Sequence, residues 1–205
     1  MSPFAHRYFI LNKPYNMVSQ FVSTHAVRLL SDLDYNFPDG IHAVGRLDNL
    51  SEGLLILTTN KKITRLLFEA KKPHKRTYLV LVNHLVTEES LQTLRSGISF
   101  RIRGGNYYVS NPCEADIIMQ PEISFTSPYI MTENIPYTWL RISLTEGKYH
   151  QVRKMVAAIH HRCKRLIRVS IEDLTLGDLQ PGYIKEIGEK DFFEQLKIND
   201  GPITS

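Results

Sequence analysis

The feature that most constrains the fold is the stretch from residue 42 to residue 60, HAVGRLDNLSEGLLILTTN. A short polar turn lies in it between two apolar runs, at residues 43–45 and 54–57. Both runs are too short for helices and are typical of buried strands. The turn carries Arg46 and Asp48, whose charged groups are costly to bury without a partner. The stretch therefore predicts two strands that hold a charged turn rigidly, with its side chains directed to solvent, to a partner or into a cleft.

Apolar periodicity predicts further elements along the chain. Helices are expected at residues 26–34, 60–70, 87–97, 150–160 and 189–196. Strands are expected at residues 8–11, 77–82, 98–102, 107–109, 114–119, 139–144 and 166–171, and before residue 187. The order of these elements, with several hairpins, favours an α+β fold whose mixed, largely antiparallel sheet is flanked by helices.

Domain organisation follows from the same pattern. Residues 1–197 are expected to form a single domain, and residues 198–205 a disordered tail. The stretch 120–137 is rich in Pro, Ser and Thr and predicts a long surface loop, because strands resume directly after it.

Positive charge is grouped along the chain, although the formal net charge is only +4. Basic residues gather in three clusters, at residues 71–76, 148–154 and 162–168, whereas acidic residues dominate from 172 to 194. Such asymmetry favours a face that binds a polyanion, with nucleic acid the leading candidate. A charge run is also typical of a merely solvated surface, so the clusters alone do not distinguish a polyanion-binding face from an ordinary surface.

Several classes of protein are disfavoured. No apolar run approaches the roughly 18 residues of a membrane span, and the start lacks the features of a signal peptide, which predicts a cytoplasmic protein. The two cysteines, Cys113 and Cys163, are too far apart to suggest a disulfide framework or a thiolate metal site. His150, His160 and His161 lack metal-ligand spacing and lie among basic residues, so no metal is expected.

Three interpretations of Asp48 are open from the residues alone. Asp48 with Asn49 is favourable turn chemistry, which would make it structural. As a catalytic carboxylate, it would need a cationic neighbour to keep it ionised, and the candidates are Arg46, Arg153 and Lys13. The third interpretation pairs Asp48 with Glu52 as the two carboxylates of a glycosidase.

Four motifs, in order, resemble one family. The string GRLDNLSEGLLILTTN at 45–60 is similar to the catalytic motif G-R-L-D-x-x-T/S-x-G-L-L-L-L-T of pseudouridine synthases of the ribosomal small-subunit type. The other three motifs are NKP at 12–14, Arg-Thr-Tyr at 76–78 and LTEGKYHQVRKM at 144–155. Within the family, NKPYNMVSQF at 12–21 and the insertion before Trp139 most resemble the branch that modifies large-subunit ribosomal RNA.

The resemblance implies a role for each matching residue. Asp48 would start cleavage of the glycosidic bond of a flipped uridine, by attack on the ribose C1′ or by removing a proton from C2′. Arg153 would pair with this aspartate, and Tyr78 would pack on the uracil. Leu144 would form the apolar wall of the pocket, and Arg46 would enter the space that the flipped base leaves. Lys13, Lys148 and Gln151 are expected as further substrate contacts.

The resemblance also implies a reaction and a substrate. It implies a pseudouridine-synthase catalytic domain without the RNA-binding domain of the S4 type that many relatives carry. The reaction is an isomerisation of a specific uridine, expected in 23S ribosomal RNA, and needs no cofactor. We expect a monomer that contacts ribosomal RNA and no membrane. The alternatives are the same chemistry on another ribosomal or transfer RNA uridine, a non-catalytic RNA-binding protein, and the two-carboxylate glycosidase.

Overall fold

The computed structural model describes residues 5–68, 73–102, 104–121 and 134–198. The chain divides into two compact units. Unit 1 comprises Met1–His74 and Arg168–Ser205, and unit 2 comprises Lys75–Ile167.

The described residues contain four α-helices and eleven strands. The strands are β1 (Tyr8–Lys13), β2 (His42–Val44), β3 (Glu52–Thr58), β4 (Arg76–Asn83), β5 (Ser99–Arg101), β6 (Tyr107–Val109), β7 (Glu114–Ile118), β8 (Tyr137–Leu144), β9 (Cys163–Ile171), β10 (Leu174–Thr175) and β11 (Ile184–Ile187). The helices are α1 (Ile63–Phe68), α2 (Glu88–Ser96), α3 (Gln151–Ala158) and α4 (Glu189–Gln195).

In unit 1, β1 pairs with β11 on one side and with β3 on the other, and β3 also pairs with β2, all antiparallel. Every residue of β1 and of β3 is buried, which explains why both strands read as nearly continuous apolar runs. The register places Lys13 opposite Gly53, at the end of β3 that follows the polar turn. The two predicted strands around this turn are therefore confirmed.

The helices of unit 1 pack through the side chains that their spacing predicts. Asn60 caps the entry to α1, because its Oδ1 accepts a hydrogen bond of 3.1 Å from the amide of Lys62. In α4, the ring of Phe192 lies 4.5 Å from that of Tyr8, centroid to centroid. Both predicted helices are confirmed, although residues 69 and 70 lie outside the described range.

The helix predicted at residues 26–34 is wrong. Only one 3-10 turn, Leu30–Asp32, is present there. The backbone around it bonds to a preceding segment instead: the amide of Val18 donates to the carbonyl of Arg28, and that of Leu30 to Gln20, both at 2.9 Å. These tertiary hydrogen bonds use groups that a helix would have paired internally.

In unit 2, β8 lies between β4 and β7, antiparallel to both, and β5 and β6 form a separate hairpin. Thr87 caps α2 by accepting a hydrogen bond of 3.2 Å from the amide of Ser90, and Gly97 ends this helix with φ of +93°. The apolar stripe of α3 is buried as its spacing predicts, at Val152, Met155, Val156 and Ile159.

The predicted fold class is confirmed. Helices and strands occur in the irregular order of an α+β fold, and the strand pairings given above are all antiparallel. None of the described helices has the length and hydrophobicity needed to cross a bilayer. Most of the predicted loop at 120–137 and most of the predicted tail at 198–205 lie outside the described residues.

Candidate active site

The turn that carries Asp48 is closed by its own backbone. The amide of Ser51 donates to the carbonyl of Asp48 at 2.9 Å, and Leu47 anchors the turn by burying its side chain. The side chain of Asp48 is half-buried, and that of Arg46 is exposed. The turn therefore presents one carboxylate and one guanidinium from a fixed backbone.

A second segment, residues 12–19, holds this turn from outside. The hydroxyl of Ser19 donates to the carbonyl of Leu47 and accepts from its amide, both at 3.0 Å. The amide of Met17 donates to the carbonyl of Asn49 at 3.3 Å, and the two side chains of Asn49 and Asn16 are hydrogen-bonded at 3.1 Å. The segment that begins with the NKP motif is thus joined by hydrogen bonds to the turn that carries Asp48.

Lys13 lies inside this structure and not at its surface. Its side chain is 0% exposed, and its ammonium donates to the carbonyls of Pro14 at 2.8 Å, Met17 at 2.6 Å and Asn49 at 3.5 Å. This differs from the substrate contact expected from the sequence. A fully buried ammonium that is bonded to three backbone carbonyls fixes the turn and does not reach a ligand.

The charges around Lys13 are coupled. Burial lowers the pKa of the Lys13 ammonium to about 7, and the carboxylates of Glu52 and Asp48 oppose this shift. Glu52 is only 2% exposed, so its carboxylate is part of this buried network. The glycosidase interpretation is therefore not supported, because its second carboxylate would have to reach a sugar.

Tyr78 and Leu144 share one face of unit 2. Tyr78 on β4 lies opposite Ile142 on β8, and Leu144 lies opposite Arg76, two residues before Tyr78 on β4. Residues two apart on a strand point to the same face, so Tyr78 and Leu144 are diagonal neighbours. Leu144 is buried, and the half-buried Tyr78 packs against the same apolar cluster. The pair has the character expected of an aromatic ring beside an apolar wall.

Gln151 at the start of α3 also differs from its prediction as a substrate contact. It is 5% exposed; its Oε1 accepts from the amide of Lys148 at 2.8 Å, and its Nε2 donates to Glu146 Oε1 at 2.5 Å. Gln151 therefore fixes the entry to the helix. Lys148 is exposed, and its ammonium lies 4.8 Å from the ring centroid of Tyr108.

Glu146 is a residue whose position the sequence analysis missed. Besides Gln151, its carboxylate accepts from the hydroxyl of Tyr108 and from the amide of Asn111 at 3.0 Å. It thereby joins the β5–β6 hairpin to the start of α3. Its place within LTEGKYHQVRKM was the available signal. Ser19, in NKPYNMVSQF, is a second residue whose hydrogen bonds at the site were not predicted from the sequence.

Arg153 lines a cavity of about 480 Å³ at the other end of α3. The cavity is also lined by Ala157, His160, His161, Arg162 and Cys163. One lining residue is held in place, because His161 Nδ1 is hydrogen-bonded to the carbonyl of Asn83 at 2.7 Å. Burial raises the pKa of the Cys163 thiol to about 11, against the opposing effect of the Arg153 charge. Arg153 and Arg162 give the cavity the charge to take an anion, and the raised pKa of Cys163 disfavours its thiolate form.

The basic clusters are less exposed than the sequence implies. His74, Arg76, Arg165 and Arg168 are all buried. Arg168, for example, donates from Nε to the carbonyl of Leu54 at 2.8 Å. These side chains cannot serve as part of a polyanion-binding face. No group of three or more His, Cys, Asp or Glu in the described parts of the chain is placed to hold a metal ion.

The predicted site residues are thus distributed over both units. Unit 1 holds Asp48, Arg46 and the buried Lys13. Unit 2 holds the other five, Tyr78, Leu144, Lys148, Gln151 and Arg153.

Comparison with known proteins identifies the family to which the chain is similar. The family model of RNA pseudouridylate synthases matches residues 7–158. Ribosomal large subunit pseudouridine synthase E of Vibrio parahaemolyticus is 39% identical over 179 residues, covering 87% of this chain and 72% of that protein. Ribosomal small subunit pseudouridine synthase A of Escherichia coli is 28% identical over 186 residues, covering 90% of this chain and 72% of that protein.

A solved structure of a pseudouridylate synthase has the same fold, with a TM-score of 0.74 at 25% sequence identity over 94% of this chain and 74% of that chain. The family match includes the Asp48 turn of unit 1 and, in unit 2, strand β4 with Tyr78 and helix α3 with Arg153. On these grounds the chain belongs to the RNA pseudouridylate synthase family and is an isomerase.

Proposed function

We propose that this enzyme converts one uridine of large-subunit ribosomal RNA, 23S rRNA, to pseudouridine. The support for this substrate comes from two relatives with the name ribosomal large subunit pseudouridine synthase E. Those of Vibrio parahaemolyticus and Vibrio vulnificus are 39% and 38% identical over 87% of this chain. We further propose that the enzyme acts as a monomer in the cytoplasm, where ribosomal RNA is found.

Asp48 is the residue that we propose starts the reaction. The observation that carries this assignment is the way its turn is held: Ser19 and Lys13 fix the backbone on both sides of a half-buried carboxylate. A carboxylate in a fixed position can act as a nucleophile or as a base without a cost for ordering it. Attack on C1′ would break the bond to N1 of uracil and form an ester to Asp48. Removal of a proton from C2′ would expel the same base with its bonding electrons.

Both routes end in the same product. The released uracil turns and forms a bond from its C5 to C1′, after which C5 loses its proton and N1 takes one up. In the route through C2′, the proton that Asp48 removed returns to C2′ as the new bond forms. Atoms and charge balance within the nucleotide, so the isomerisation consumes no co-reactant. In the ester route, the carboxylate of Asp48 leaves C1′ as the new bond forms.

The residues of unit 2 are proposed to hold the base and the charge. Tyr78 packs on the uracil, and Leu144 supplies the apolar surface beside it, as their shared face suggests. Arg153 favours the ionised form of the reacting carboxylate. Arg46, exposed in unit 1, enters the space that the flipped base leaves in the RNA. Lys148, also exposed, contacts the RNA backbone.

Mapping pseudouridines in ribosomal RNA tests the substrate. Purified enzyme and its Asp48→Asn variant would be incubated with unmodified large-subunit and small-subunit ribosomal RNA, transcribed in vitro. We expect one new pseudouridine in the large-subunit RNA with the wild-type enzyme only. Modification of the small-subunit RNA alone would contradict the proposed substrate while leaving the proposed chemistry intact.

A second candidate substrate, small-subunit ribosomal RNA, is favoured by one observation. The relative in Escherichia coli with the name ribosomal small subunit pseudouridine synthase A is 28% identical over 90% of this chain. The lower identity makes this the weaker candidate, and the same mapping experiment distinguishes the two.

A further inference from the structure

An exposed aromatic ring lies directly before the helix that carries Arg153. Tyr149 is 70% exposed, although its ring stacks on that of His150 with centroids 3.8 Å apart and planes inclined by 18°. His150 holds this position in a left-handed backbone conformation, with φ of +55°, at the N-cap of α3. Such a conformation is uncommon for a residue with a side chain and often marks a functional position.

One lysine places positive charge beside this ring, and a second precedes Tyr149 directly in the sequence and lies beside the ring of Tyr108. The ammonium of Lys154 lies 5.4 Å from the ring centroid of Tyr149, and that of Lys148 lies 4.8 Å from the ring centroid of Tyr108. The entry to the helix between them is rigid, because Gln151 and Glu146 are hydrogen-bonded there. A largely exposed aromatic ring with a cation beside it and a second lysine next to it in the sequence can take an unpaired nucleobase by stacking and the adjoining phosphates by charge.

We propose that Tyr149 and its stacked partner His150 form a platform for an unpaired base of the RNA strand that flanks the target uridine. Lys154 and Lys148 would contact the phosphates on either side of that base. Because the platform immediately precedes α3, it lies close in sequence to Arg153, four residues later. It would help to select RNA whose strand is single-stranded beside the target. The proposal rests on RNA as the substrate but not on the role of Asp48.

The test compares three variants for binding to a labelled oligouridylate of about ten nucleotides, a length within the range of single-strand binding sites. Tyr149→Ala should weaken binding by between about fivefold and a hundredfold, the effect of losing one stacked base. Tyr149→Phe keeps the ring and should bind as the wild type does. Tyr107→Ala is the matched control, because Tyr107 is 74% exposed and belongs to the same unit.

Salt dependence separates stacking from charge. Log affinity falls with log salt concentration, and Lys154→Gln should make this negative slope shallower by about 0.7, the value for one phosphate contact on a single strand. Tyr149→Ala should leave the slope unchanged. Thermal unfolding of each variant would show that the fold is intact, as expected for exposed positions.

Three outcomes would overturn the proposal: wild-type affinity in Tyr149→Ala, an equal loss in Tyr107→Ala, or a loss in Tyr149→Phe as large as that in Tyr149→Ala. On ribosomal RNA, Tyr149→Ala should raise KM and spare kcat, the opposite of the effect expected for Asp48→Asn. An enzyme that formed no pseudouridine would contradict the proposed function. Oligouridylate binding would still show whether Tyr149 and His150 bind an unpaired base.

Discussion

At the scale of single residues, Lys13 connects the buried interior of unit 1 with the turn that carries Asp48. Its ammonium is buried, bonded to three carbonyls, and coupled to the charges of Glu52 and Asp48. A lysine in a motif is easily taken for a substrate contact, since nothing in the sequence reports burial. The structure shows that the charge faces inward, where it holds the backbone of the turn.

The lowered pKa of Lys13 predicts how stability changes with pH. Between about pH 7 and pH 9, Lys13 gives up its proton in the folded protein but keeps it in the unfolded chain, whose lysine pKa is about 10.4. The unfolded state then binds more protons, so the Lys13 contribution to the free energy of unfolding rises with pH. The rise should be about 2 kcal/mol over this range.

Urea unfolding of the wild type and of Lys13→Met, at several pH values, measures this contribution. Titrating groups that do not interact with Lys13 are common to both proteins and cancel in the difference. The difference should be constant below about pH 6 and increase above about pH 7. Parallel curves over the whole range would show that Lys13 keeps its proton when buried.

At the scale of elements, the turn and the segment 12–19 act together. Ser19 makes two hydrogen bonds to the backbone of Leu47, the residue before Asp48, and is 7% exposed. Its removal leaves a backbone amide without a partner in a buried place, which costs about 1–3 kcal/mol. The turn should then be displaced relative to its position in the wild type.

Ser19→Ala is therefore expected to lower the free energy of unfolding by about 2 kcal/mol and kcat by about tenfold, because small displacements of a reacting group slow catalysis strongly. Ser31→Ala is the control, since the exposed Ser31 makes one hydrogen bond, to the carbonyl of Phe21. That variant should change stability by less than about 0.5 kcal/mol. Equal effects of the two substitutions would remove the special role of Ser19.

Elements with strong periodicity could be predicted from the sequence, and those decided by tertiary contacts could not. The stripe of α3 and the cap of α2 at Thr87 are local patterns, and both were found. Residues 26–34 have an equally apolar pattern, but the backbone of Arg28 and Leu30 bonds to Val18 and Gln20, and a single 3-10 turn forms in place of a helix. The choice between these two sets of hydrogen bonds depends on a segment that local periodicity does not include.

The candidate site shows the same division. Asp48, Tyr78 and Arg153 could be proposed from the sequence because they lie in motifs that resemble a known family, and their roles stay predictions. The burial of Lys13 and Gln151 could not, since a polar side chain carries no mark in the sequence of whether it faces water or backbone. Glu146 was missed because its three partners come from a hairpin and a helix that only the fold brings to it.

At the scale of the whole molecule, exposure decides which charges meet RNA. The third basic cluster contains the exposed Arg162 and the buried Arg168, six residues apart. Arg162 lines the cavity beside Arg153, whereas Arg168 bonds to the backbone of unit 1. The two arginines should therefore differ in function although the sequence treats them alike.

Substitution by glutamine measures this difference. Arg162→Gln should weaken binding to ribosomal RNA. It should also make the negative slope of log affinity against log salt concentration shallower by about 0.7–0.9, as for one lost phosphate contact. Arg168→Gln should leave that slope unchanged and lower the free energy of unfolding by about 1–3 kcal/mol. A reduced slope in Arg168→Gln would mean that Arg168 reaches the RNA after all.

The claim that Asp48 carries the chemistry is tested most directly by Asp48→Asn, a nearly isosteric change that removes the carboxylate. The measurement is the rate of pseudouridine formation in large-subunit ribosomal RNA in a single turnover, with RNA affinity measured in parallel. We predict a loss of at least about ten-thousandfold in rate, with affinity within about twofold of the wild type. A variant that keeps its rate to within about tenfold would contradict the account.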